Sequence, residues 1–156
     1  MNVLFVCNSN TCRSPLAVGV LKKKLSERNL EAKVESAGFE AFNINEPPEN
    51  RAVEEALKHG INISENKARL FSSEDFSKFD KIYVMDTLAY RNALYFAKDK
   101  NDEGKLEFLL NLVKPGRNES VPDPFYRKLE ACEETFEIMD TACDKIAEII
   151  AKSRVN

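Results

Sequence analysis

The run "VCNSNTCRSP" at residues 6–15 constrains this chain more than any other segment. It ends an apolar stretch, Val3-Leu4-Phe5-Val6-Cys7, of the kind that forms a strand covered on both faces, as a parallel sheet in an α/β domain requires. It leads into a helix: Ser14 fits an N-cap and Pro15 the first helical position, after which Ala17, Leu21 and Leu25 recur on one face. In open parallel sheets ligands sit beyond the carboxyl ends of strands, where a helix N-terminus offers unpaired N–H groups and a partial positive charge. The quoted loop occupies that place.

The rest of the chain repeats the alternation. Residues 32–37 read as a second strand ending at Gly38, and Pro47-Pro48 opens a helix through Ala52, Val53, Ala56 and Leu57 that stops at Gly60. Residues 81–85 form a third strand, 88–97 a helix, and 107–110 a weaker fourth strand. Strands alternating with helices predict a doubly wound α/β sheet. Leu129, Cys132, Phe136, Met139, Cys143, Ile146 and Ile150 recur at three- and four-residue steps, one apolar stripe along a C-terminal helix, which makes Cys132 and Cys143 small core hydrophobes. A chain of 156 residues with 43% hydrophobic content is expected to form one domain over residues 1–156, able to stand without disulfides.

Composition removes several classes of function. A net charge of -3 gives no electrostatic footprint for DNA or RNA, and Lys22-Lys23-Lys24 reads as a solvated helix face. The apolar run at the N-terminus is too short for a signal core and no basic residue precedes it, so no membrane association and a cytoplasmic location with reduced thiols are expected. Cys7 and Cys12 lack zinc-type spacing, and the single histidine, His59, stands just before the Gly60 stop, where the helix dipole favours it.

Read as chemistry, the loop from Cys7 to Arg13 can curl its backbone N–H groups inward as an anion nest over the sulfur. The dipole and the guanidinium favour a thiolate there, and the planar guanidinium matches two phosphate oxygens. Thiolate and cradle together point to attack on phosphorus. The departing oxygen needs a proton, and with no second histidine a carboxylic acid must supply it. Asp123 in "VPDPFY" is the candidate, held between prolines, with Phe125 and Tyr126 as walls for a flat substrate ring. A solvent-reachable thiolate is also what peroxide oxidises first, and Cys12, at the other end of the loop, is the nearest thiol to capture it.

These residues resemble the low-molecular-weight protein tyrosine phosphatases. The resemblance covers nearly the whole chain: "VCNSNTCRSP", "SAG" at 36–38, "EPPENRA" at 46–52, "HGINIS" at 59–64, "AR" at 68–69, "FDKIYVMD" at 79–86 and "VPDPFY" at 121–126. It implies a four-stranded parallel sheet flanked by helices, no metal or cofactor, a phosphotyrosine protein as substrate and inorganic phosphate as product. It implies that Cys7 is phosphorylated and then hydrolysed, that Arg13 binds the phosphoryl oxygens and that Asp123 is general acid and then base. Loop residues Asn8, Ser9, Asn10, Thr11, Cys12 and Ser14 would line the phosphate site, with Asn10, Ser14 and Ser36 as a polar network and Phe42 as a recognition aromatic.

The chain departs from the family pattern at several positions. Ser9 replaces a usual glycine, and a left-handed backbone there would cost a serine roughly 1–2 kcal/mol. Asn45 also replaces a glycine. Phe42 and Phe125 keep rings but drop polar atoms, and Asn66 stands where many bacterial relatives have histidine. Arsenate reductases of the thioredoxin-coupled type share the Cys-(five)-Arg loop, but they need relay cysteines after the third strand, and residues 84–96 contain none. A catalytically silent phosphotyrosine-binding module would not need Cys7, Arg13 and Asp123 together.

Overall fold

The computed structural model describes residues 1–123 and 130–154. Four strands, β1 (Val3–Val6), β2 (Val34–Ala37), β3 (Lys81–Val84) and β4 (Leu106–Phe108), form one sheet in the order β2-β1-β3-β4, parallel throughout. The helices are α1 (Arg13–Glu27), α2 (Asn50–Lys58), α3 (Asp75–Lys78), α4 (Thr87–Tyr95), α5 (Lys100–Glu103) and α6 (Glu130–Ser153). The doubly wound α/β expectation holds. From β1 the chain crosses to β2 on one side and later to β3 on the other, so the switch point lies at the carboxyl end of β1.

Alternation along the strands divides the core. Val3, Phe5 and Tyr83 pack with Leu21, Met139, Cys143 and Ile146 of α1 and α6, whereas Leu4, Val6, Ile82 and Val84 pack with Phe76, Phe79, Ala89 and Ala93 on the other face. Each large side chain so buried contributes about 1.5–3 kcal/mol. Cys143 is fully buried with its Sγ 3.7 Å from the Ala17 carbonyl, and Cys132 is also buried, as the stripe predicts. Leu129 lies outside the described residues. His59 caps the C-terminus of α2 before Gly60, whose φ of +73° ends the helix, and its ring stacks on Phe136 at 3.6 Å.

Five local expectations need correction. Helix α1 starts at Arg13 with Cys12 at the cap position, so Ser14 is not the N-cap; its hydroxyl is occupied inside the loop. Pro15 is then the third helical residue, where the missing N–H still costs nothing. Helix α2 begins at Asn50 rather than at Pro47, because Pro48 holds its predecessor extended; the Glu49 N–H, at the cap position, donates to the Thr11 carbonyl at 2.7 Å. Strand β4 stops at Phe108, and Leu109 and Leu110 turn away to join the α1–α6 core. Lys24 is not solvated: its Nζ reaches Asp140 and Asp144 of α6, each at 2.8 Å. Among the described residues no helix is long and apolar enough to cross a membrane.

Candidate active site

The loop after β1 folds around its own sulfur. Cys7 is buried, the Asn10 N–H donates to its Sγ at 3.3 Å, and Ser14 Oγ lies 3.0 Å from the same sulfur. Ser14 Oγ is also 2.7 Å from Asn10 Oδ1, so Cys7, Asn10 and Ser14 form one bonded group. Asn10 turns the loop with a φ of 58°, a left-handed conformation that asparagine tolerates well. The strain anticipated at Ser9 is therefore absent: the left-handed residue is Asn10, and Ser9 Oγ instead accepts from the Thr11 hydroxyl at 2.9 Å. Asn45 does take a left-handed backbone, with a φ of 69°.

Neighbouring segments fix the loop from outside. The Phe39 N–H donates to the Asn8 carbonyl at 2.8 Å, drawing the loop against the end of β2. A Cβ on Gly38 would stand 2.7 Å from that same carbonyl oxygen and 2.9 Å from Asn10 Cβ, which is why this position of "SAG" has no side chain. Ser36 is buried on β2, but among the described residues no hydrogen bond joins it to Cys7, Asn10 or Ser14. Asn66 sits along α1 beside Pro15 and Val18 and donates its N–H to Ile63.

Arg13 is 5% exposed, and a buried guanidinium must be paired. Its Nη1 donates to the Val121 carbonyl at 2.9 Å, its Nη2 to Asp86 Oδ2 at 2.8 Å, and Asp123 Oδ2 lies 3.6 Å from Nη2. Burial by itself would lower the Arg13 pKa, but Cys7, Asp86 and Asp123 outweigh it and raise the value, so the charge is secure. Burial pushes the Cys12 thiol up, and the neighbouring Cys7 adds to the rise, so Cys12 stays protonated at neutral pH. Asp86 was not anticipated from the sequence as a site residue. Its signal is its position: an acid two residues past the end of β3 that opens a helix, where its Oδ1 accepts from the Ala89 N–H at 2.8 Å.

The loop borders a cleft of about 530 Å³, lined by Asn8, Ser9, Thr11, Cys12 and Arg13 of the loop together with Phe42, Asp86, Leu88 and Asp123. Phe42 is 79% exposed on the β2 side of this cleft. The structure thus brings together Cys7, Arg13, Asp123, the loop residues and Phe42. Phe125 and Tyr126 lie outside the described residues. Among the described residues no cluster of His, Cys, Asp or Glu has the arrangement of a metal site.

A parallel α/β fold whose switch-point loop wraps a cysteine sulfur and ends in a buried, paired arginine defines the class: α/β proteins with a cysteine-centred loop after the first strand. Within that class the sequence matches the low molecular weight phosphotyrosine protein phosphatases over residues 2–156, and the chain belongs to this family. It is 36% identical to the low molecular weight phosphotyrosine protein phosphatase of Sus scrofa over 80% of each chain. The crystal structure of YfkJ from Bacillus subtilis is similar with a TM-score of 0.88 and 32% identity, covering 98% of this chain and 96% of that one. A Drosophila arginine phosphatase structure is similar with a TM-score of 0.86 and 28% identity, covering 95% of this chain and 96% of that one.

Proposed function

We propose that this chain, acting as a single domain over residues 1–156 in a reducing cytoplasm, hydrolyses phosphotyrosine in proteins through a phosphorylated Cys7. The observation that carries the reading is the Cys7 sulfur beneath a loop that also ends in the buried, paired Arg13. The phosphate sits in the loop with two oxygens on Arg13, and the Cys7 thiolate attacks phosphorus in line with the ester oxygen. The P–O bond breaks, Asp123 gives its proton to the leaving phenolate, and a phosphocysteine remains. Water then attacks phosphorus, Asp123 takes its proton, the S–P bond breaks, and inorganic phosphate leaves.

The two reacting states change the proton inventory of the loop. Ser14 has one hydroxyl proton, and a thiolate, having none to give, claims it. The Asn10 amide then serves Ser14 as donor by turning over, and its buried Nδ2, which has no partner among the described residues, is available for that task. Stabilising the sulfur anion in this way makes it a better leaving group from phosphorus.

A turnover panel tests the assignment. Phosphotyrosine is expected to be hydrolysed far faster than phosphoserine, because Phe42 offers a ring face and a phenolic ester reaches deeper into the loop. Phosphoarginine belongs in the panel because a structural relative is an arginine phosphatase. Faster turnover of phosphoserine or phosphoarginine would overturn the phosphotyrosine reading, and reduction of arsenate with a thiol donor would favour the reductase scaffold instead.

Cys12 gives a further prediction. Peroxide converts the Cys7 thiolate to a sulfenic acid, and loss of that negative charge removes one cause of the raised Cys12 pKa. The Cys12 sulfur then attacks the Cys7 sulfur, a disulfide forms, and water departs. Dithiothreitol is expected to restore activity to the native protein but not to Cys12→Ser, with a Cys7–Cys12 peptide seen by mass spectrometry. Equal recovery without that peptide would show Cys12 to be packing. Cys143, fully buried with its thiol pushed up by burial, stays reduced throughout.

A further inference from the structure

We infer that Leu88 is a specificity residue of this site: an apolar lip that holds the ring of an aryl phosphate against Phe42. The inference deepens the proposed phosphatase reading and rests on it. Leu88 is in the first turn of α4, 51% exposed, and lines the same cleft as Phe42. An isolated surface leucine would mean nothing. This one has a defined counterpart. Phe42 follows β2 and Leu88 follows β3, and these strands flank β1 on opposite sides, so the two side chains rise from opposite edges of the opening over the Cys7 loop.

The position of Leu88 is fixed by the site itself. Asp86 Oδ2 binds Arg13 while its Oδ1 caps α4 at the Ala89 N–H, so the carboxylate that orients the guanidinium also sets the helix register two residues before Leu88. The loop is bonded to the neighbours of both side chains. The Asn8 amide donates to Glu40 Oε1 at 2.5 Å on the Phe42 side and accepts from Asn92 Nδ2 at 3.4 Å on the α4 side, a strut across the opening. A flat ring attached to a phosphate in the loop passes between Phe42 and Leu88 and covers apolar surface on both; an alkyl phosphate such as phosphoserine is too short to do so.

The test separates ring binding from phosphate binding. On phosphotyrosine and 4-nitrophenyl phosphate, Leu88→Ala is expected to raise KM about tenfold with a much smaller change in kcat. The inhibition constant of inorganic phosphate stays at the parent value, and Leu88→Met recovers the parent KM. An unchanged aryl KM overturns the inference. So does a phosphate inhibition constant that rises in step with KM, because Leu88 would then merely support Asp86 and Arg13. A parent protein inert towards both aryl esters overturns the phosphatase reading as well, whereas an active parent indifferent to Leu88 overturns only this inference.

Discussion

Cys7→Ser is expected to lower phosphate release by a factor on the order of 10⁴ or more while inorganic phosphate still binds within a few-fold of the parent. An alcohol is not ionised at neutral pH, and the loop contains no base to activate it: Ser14 and Asn10 are the groups bonded to the sulfur, and neither accepts a proton from an alcohol at pH 7. The proposed anion site does not depend on the sulfur. Arg13 remains paired to Asp86 and Val121, Gly38 still admits the loop backbone, and Asn10 keeps its left-handed turn. Phosphate inhibition of binding, read by displacement of a bound aryl phosphonate, separates the two roles. Turnover by the serine variant near the parent rate would remove Cys7 as nucleophile, whatever the binding result.

What the sequence discloses of this fold is what depends on local pattern. The strand at residues 3–6, the stop at Gly60 and the stripe on α6 each follow from periodicity or from a residue with few conformational choices. Boundaries moved wherever a side chain or backbone group answered to a distant partner instead. Ser14 has the chemistry of an N-cap but spends its hydroxyl on Asn10 and Cys7, and α2 starts only after Glu49, whose N–H donates to Thr11 across the chain. Helices α3 and α5, of four residues each, are shorter than any window in which a 3.6-residue period can be counted. In the site, Cys7 and Arg13 were legible because they share one loop. Asp86 was not, because its pairing with Arg13 spans 73 positions and appears only once β3 lies beside β1. The glycine-to-serine departure at residue 9 misled in a different way: residue identity signals backbone strain only when the φ is known, and the left-handed turn falls one residue later.

Asp123→Asn is expected to slow phenyl phosphate about 10²- to 10⁴-fold and 4-nitrophenyl phosphate far less. Phenolate is a strong base that leaves phosphorus poorly without a proton, whereas nitrophenolate leaves as the anion, so the acid matters in proportion to leaving-group basicity. The proposed role draws on three features: the Asp123 carboxylate is 3.6 Å from the Arg13 guanidinium, its side chain is one-third exposed, and it lines the cleft beside the loop. The comparison must be made on kcat/KM. In the proposed mechanism both esters form the same phosphocysteine, and if its hydrolysis limits kcat, loss of Asp123 as base slows the two equally and hides the difference. The quantity kcat/KM extends only to the first irreversible step, formation of that intermediate, and so reports the acid role alone. Equal slowing of the two esters in kcat/KM would mean that Asp123 acts only as a charge beside Arg13, because a pairing role is blind to which alcohol is leaving.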